Sequence, residues 1–161
     1  MESPEYELMH AVEDRMWWYR GLRTLAAGQL ARALTGTPAM GPVLDAGCGT
    51  GGMLRVLGNG VAGRPTLGLD FNPVAAGMAL AKSGRPVMSG SVNEMPVGDG
   101  LLAGYVSLDV LCHAGVEPER ALSEAHRWTA ACRYCHCSVQ ADVPDRRCGP
   151  EVPQLPPAAP R

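Results

Sequence analysis

Apolar residues recur at helical spacing in the first part of the chain and in short unbroken runs thereafter, and this change of period divides the sequence. Leu8, Met9, Val12 and Met16 follow Ser3 and Pro4, a cap and first-turn pair, and predict a helix of about three turns. From about 19 to 34, Leu22, Leu25, Ala26, Leu30 and Leu34 fall on one stripe, with Gly36 as the stop. After a linker at 38–41 come apolar runs at 42–46, 65–70, 86–90 and 102–109, separated by helical stretches at about 51–57, 73–82 and 118–128. Short runs without polar alternation are strands buried on both faces, and their alternation with helices is the pattern of a parallel sheet covered on two sides. Pro73 and Pro118 stand at the favoured first-turn position of two helices, and Asn72 is placed to cap the first of these.

Composition narrows the class. A chain of 161 residues is one domain's worth, and a formal net charge of −2 lacks the basic excess that holds phosphate backbones, so no nucleic-acid partner is expected. No run of 18 apolar residues occurs, and Glu2, Glu5 and Glu7 stand where a basic leader would lie; a cytoplasmic protein without a membrane partner is expected. The six cysteines do not read as a disulfide framework, because Cys48 sits among glycines, Cys112 follows a strand and the rest crowd into 132–148. Cys132, Cys135, His136, Cys137 and Cys148 contain one C-x-x-C pair but no second at matching spacing, so no metal site is assigned.

The chemistry concentrates in Val43-Leu44-Asp45-Ala46-Gly47-Cys48-Gly49-Thr50-Gly51-Gly52. Glycines gather there where a strand must turn sharply into a helix, which predicts positive φ at Gly47, Gly49 and Gly51 and a backbone open to a ligand. Asp70 ends the next strand, where a carboxylate accepts hydrogen bonds from ribose hydroxyls, and Phe71 beside it can pack on adenine. Gly47, Gly49 and Gly52 also satisfy the dinucleotide spacing G-x-G-x-x-G, with Asp70 about twenty residues on. Asp45 tips the balance: a carboxylate just before the first glycine disfavours a pyrophosphate and suits the ammonium and sulfonium of S-adenosylmethionine (SAM).

This stretch resembles the glycine motif of the class I SAM-dependent methyltransferases. Gly68-Leu69-Asp70-Phe71-Asn72-Pro73 is similar to the family's second-strand motif, residues 90–96 to the loop after the third strand, and Ser107-Leu108-Asp109-Val110-Leu111 to the end of the fourth. The likeness covers about 42–128. It implies an α/β, Rossmann-like, doubly wound and mostly parallel sheet with an N-terminal helical lead-in. It further implies SAM as cofactor: Asp45, Gly47, Cys48, Gly49 and Gly51 around the methionine end, Asp70 and Phe71 at ribose and adenine, Ser91 and Val92 at the adenine edge, and Leu108 near the sulfonium. Ser91 and Ala103 stand where the family commonly has Asp. The aromatic stretch Glu13-Asp14-Arg15-Met16-Trp17-Trp18-Tyr19-Arg20 resembles lead-ins that help roof the pocket, although such aromatics more often only pack.

Three parts are therefore expected: a helical lead-in at 1–41, a SAM-binding domain at 42–128 and an irregular Cys/Pro-rich tail at 129–161. After Trp128 the resemblance stops, and the sequence lacks the family's glycine turn and apolar last strands, as a replaced C-terminus would. The expected activity is methyl transfer from SAM to a small-molecule acceptor, with an NAD-binding oxidoreductase or an inactive SAM-binding or interaction domain as alternatives. His113, just past the fourth strand, is the one candidate general base. Neither the acceptor nor the oligomeric state is encoded in these motifs.

Overall fold

The computed structural model describes residues 3–36, 40–58, 60–95, 97–129 and 135–138. Two helices lead, α1 (Ser3–Val12) and α2 (Trp17–Leu34). There follow β1 (Val43–Ala46), α3 (Gly52–Leu57), β2 (Thr66–Asp70), α4 (Pro73–Ser83), β3 (Val87–Ser89), β4 (Gly104–Leu108), α5 (Pro118–Trp128) and β5 (Cys135–Ser138). The strands lie in the order β3-β2-β1-β4-β5, every pair parallel. The four strands and three helices expected after the linker are therefore present within two residues of their predicted ends.

Alternation within the strands feeds two cores. Leu44 and Tyr105 face one side and pack with Ala121, Ala125 and Trp128 of α5. Val43 and Val106 face the other and meet Ala26, Leu30 and Leu34 of α2. Because both faces are covered, β1 and β4 are buried almost throughout, which accounts for their unbroken apolar reading. Asn72 caps α4 as expected, its Oδ1 accepting the amides of Val74 (2.8 Å) and Ala75 (3.4 Å).

Two differences from the sequence pattern have physical causes. Leu25 was placed on the buried stripe of α2 but is 66% exposed, and Arg23 is buried instead because acidic partners receive it. A fifth strand, β5, pairs along β4 from Tyr105–Cys135 to Leu108–Ser138, where the side-chain pattern drew none. Parallel pairing is made by backbone groups, so a sequence with no apolar face can still supply it. Apart from those four residues, the expected tail beyond Thr129 lies outside the described residues, as do Cys132 and Cys148. No helix among the described residues is long and apolar enough to cross a membrane.

Strand order reverses direction between β1 and β4, which run side by side while their following connections depart to opposite sides. Such a switch point opens a crevice beyond the carboxyl ends of the strands. That is where the site lies.

Candidate functional site

The glycine turn sits at the floor of a cavity of about 900 Å³. Gly47 (φ +76°), Gly49 (φ +53°) and Gly51 (φ +89°) all adopt the left-handed backbone predicted for them. Their surroundings differ. A Cβ on Gly47 would strike Val110, and one on Gly49 would lie 2.8 Å from Met9 Cε, so both faces of the turn are closely covered. Gly51 does not line the cavity: it packs against α4, where a Cβ would lie 2.7 Å from Ala79 Cα. Its role is to bring the start of α3 against α4.

Asp70 is 6% exposed and reaches back over the turn. Its Oδ2 accepts the Gly49 amide (2.8 Å) and its Oδ1 the Asn72 amide (2.9 Å), while the Tyr6 hydroxyl of α1 donates to it as well. Burial raises the Asp70 pKa, and the two amides and Tyr6 oppose that rise. Burial next to this carboxylate also pushes the Tyr6 phenol up to about 12. Asp45 also lines the cavity, 2% exposed, and its Oδ2 has no hydrogen-bond partner. Burial, with Asp70 and Glu13 adding like charge, lifts its pKa to about 7. Cys48 lines the floor, and burial first, then Asp45 and Asp70, raise its pKa, so it remains a thiol.

The lead-in is pinned by a buried ionic cluster that no motif announced. Glu13 is 5% exposed, and its Oε1 receives both the Thr50 hydroxyl and the Lys82 ammonium. Arg23 lies 3.6 Å from Glu13 Oε2, donates to the Glu13 carbonyl and reaches Asp14 at 3.3 Å. Burial opposes ionisation of Asp14, but Lys82, Arg55 and Arg23 together hold its pKa below the ordinary value. A Cβ on Gly52 would overlap Glu13 and Arg23, so the end of the glycine run is shaped by the lead-in. Anchored in this way, α1 and the start of α2 lay Tyr6, Met9, Trp18 and Tyr19 over the crevice. Trp17 is 79% exposed and stays outside it, edge-on to Trp18 at 5.9 Å.

The structure brings Asp45, Gly47, Cys48, Gly49, Asp70 and Phe71 to one cavity. Ser91, Val92 and Leu108 join them, as does His113; of the expected site residues only Gly51 lies apart. Phe71 is 81% exposed on the rim, Val92 is buried in the wall, and the Ser91 hydroxyl accepts the Asn93 amide (3.1 Å). His113 is exposed at the far wall, near enough to bias both Asp70 and Asp109 toward the carboxylate form. Sequence reasoning gave no role to Tyr6, Glu13, Arg23 or Asp109, although Glu13 and Asp109 fall within stretches that resemble the family. Asp109 is polar at the end of a buried strand, and its backbone is left-handed at φ +57°.

Comparison with known proteins agrees with this geometry. Residues 44–131, more than half of the chain, match the methyltransferase domain family, and the chain belongs to it. No curated protein matches the chain. Among solved structures, one from Methanococcus maripaludis assigned as an S-adenosyl-L-methionine-dependent methyltransferase superposes with a TM-score of 0.58 at 19% identity, over 76% of this chain and 57% of that one. The methyltransferase in a Haloferax volcanii complex with the Trm112 methyltransferase activator gives 0.51 at 22% identity, over 77% and 55%. Geranyl diphosphate C-methyltransferase of Streptomyces coelicolor, solved with S-adenosyl-L-homocysteine, gives 0.52 at 17%, over 65% and 39%. At these identities the likeness is one of fold, and the chain spans less than three-fifths of each neighbour.

Proposed function

We propose that this chain binds SAM in the crevice over the glycine turn and directs its methyl group to a small-molecule acceptor. The observation that carries this reading is Asp45: a buried carboxylate oxygen without a partner, lining the same cavity as Asp70. An orphaned buried acceptor is costly, and a cationic amino group is the partner that relieves it. A pyrophosphate in the same place would meet two buried carboxylates, which argues against the dinucleotide alternative.

In this reading Asp45 and the turn at Gly47 and Gly49 hold the methionine end, Cys48 lies beneath it, and Asp70 takes the ribose hydroxyls. Ser91 and Val92 border the adenine, Phe71 covers it from the rim, and Leu108 walls the sulfonium. When bound, SAM supplies an electrophilic methyl group whose C–S bond breaks, the electron pair staying on sulfur, as the acceptor bonds to carbon. The chain's part is to orient the acceptor in line and to exclude water with the roof of Tyr6, Met9 and Trp18, and such positioning needs no covalent intermediate. His113 stands on the acceptor side as the candidate proton acceptor.

Thermal unfolding with S-adenosylhomocysteine (SAH) and, separately, NADH tests the assignment. A rise in Tm with SAH alone is expected; a rise with NADH alone defeats it. Incubation of labelled SAM with cell extract then distinguishes an active enzyme from an inactive SAM-binding domain, which would bind label and pass none on.

A further inference from the structure

A second ligand has room beside the first, and the charge around it is one-sided. Small-molecule sites run from roughly 300 to 1,000 Å³, and at about 900 Å³ this one is near the upper end. The part beyond the glycine turn is bounded by Asp109 and His113 at the end of β4 and by Met16 and Trp18 of the roof. Among the described lining residues, Glu5, Glu13, Asp45, Asp70 and Asp109 are acids, and Arg23 is the one permanent cation. Arg23 is already committed to Glu13 and Asp14, Glu13 is neutralised in turn by Lys82, and Asp45 and Asp70 face the cofactor in the reading above, so Asp109 is the acid left to the acceptor. A phosphate or carboxylate acceptor would therefore enter against like charge with no cation to receive it.

The rim favours the opposite sign. Trp18 is 41% exposed over the opening, and a ring face attracts cations. Asp109 lies on the cavity wall, partly buried, with a left-handed backbone that Asp adopts more readily than most residues. We infer, resting on the methyl-transfer reading above, that the acceptor is a small organic amine with an apolar or aromatic body, its ammonium held by the Asp109 carboxylate and the Trp18 ring. Methylation needs the nitrogen lone pair, so one N–H proton passes to the imidazole of His113, which is exposed and can release it to solvent.

Calorimetric titration of the full chain with 2-phenylethylamine, 2-phenylethanol and 3-phenylpropionate, each with and without saturating SAH, reads the charge preference directly. The amine should bind at least tenfold more tightly than the carboxylate, with the alcohol between. Asp109→Asn should abolish that preference while SAH affinity stays within twofold, and the fold is preserved because Asn tolerates left-handed φ. Trp18→Leu should weaken the amine several-fold more than the alcohol. Equal or tighter binding of the carboxylate, binding of none of the three, or an unchanged preference in Asp109→Asn overturns the inference. Failure of SAH to bind while the amine preference holds would instead strike the cofactor reading, so the two failures are distinct.

Discussion

Asp70 and Gly49 are joined across the glycine turn, the carboxylate Oδ2 accepting the loop amide at 2.8 Å. The acid proposed to clasp the ribose therefore also fixes the turn beneath it. Cofactor affinity and loop geometry share one residue, and substitutions there must be read for both.

Asp70→Asn keeps an acceptor for one of the two amides but loses the charge. Charge-assisted hydrogen bonds are worth about 1.5–3 kcal/mol, so SAH should bind roughly ten- to a hundredfold more weakly by calorimetry. An affinity within twofold of the parent removes Asp70 from the site.

Gly51 and Gly36 separate strain from overlap. Both have positive φ, but a Cβ on Gly36 meets nothing within 4 Å, while on Gly51 it enters the space of Ala79. Gly36→Ala should cost about 1 kcal/mol and Gly51→Ala about 3 kcal/mol or more, measured by urea unfolding. Equal costs would mean that α4 yields freely.

Glu13 holds the lead-in to the domain through Lys82, Thr50 and Arg23, all largely buried. Removing one partner of a buried ion cluster leaves charge uncompensated, at about 3–5 kcal/mol. Glu13→Ala should therefore lower stability by that amount, measured by urea unfolding, whereas Glu13→Gln, which retains an acceptor for Thr50, should lose less. Parent-like stability in Glu13→Ala would show that the roof is held by its apolar contacts.

Asp45 predicts a pH dependence. Its folded pKa of about 7 lies above the unfolded value of about 3.9, so the native state holds the extra proton between them. Its contribution to stability is fully present below about pH 4, declines as pH rises through the window and is lost above about 7. Asp70 and Asp109 are shifted the same way, Asp14 and Glu124 the opposite way. Asp45→Asn should thus melt higher than the parent at pH 8, with the gap closing toward pH 4. SAH, whose ammonium pairs with the ionised form, should bind more weakly as pH falls below about 7, releasing a proton on binding at pH 6. A parent that binds SAH equally at pH 6 and pH 8 contradicts this assignment of Asp45.

Local chain chemistry determined a large share of this molecule. Short apolar runs alternating with helical stretches specify a covered parallel sheet, because a strand with no polar face has nowhere else to go. Left-handed glycines at a strand end, followed by an acid at the end of the next, specify the ligand crevice, since both demands are met within a few residues of backbone. What stayed hidden depends on distance in space. Glu13, Arg23 and Lys82 are ordinary charged residues in one dimension, and only packing of α1 and α2 on α3 and α4 takes them out of water and makes them a single cluster. Gly51 looks like its neighbours in the loop, yet α4 turns it from a ligand contact into a packing contact. The orphaned oxygen of Asp45 and the left-handed backbone of Asp109 likewise exist only once the sheet is assembled, because burial and φ are properties of the fold and not of the residue.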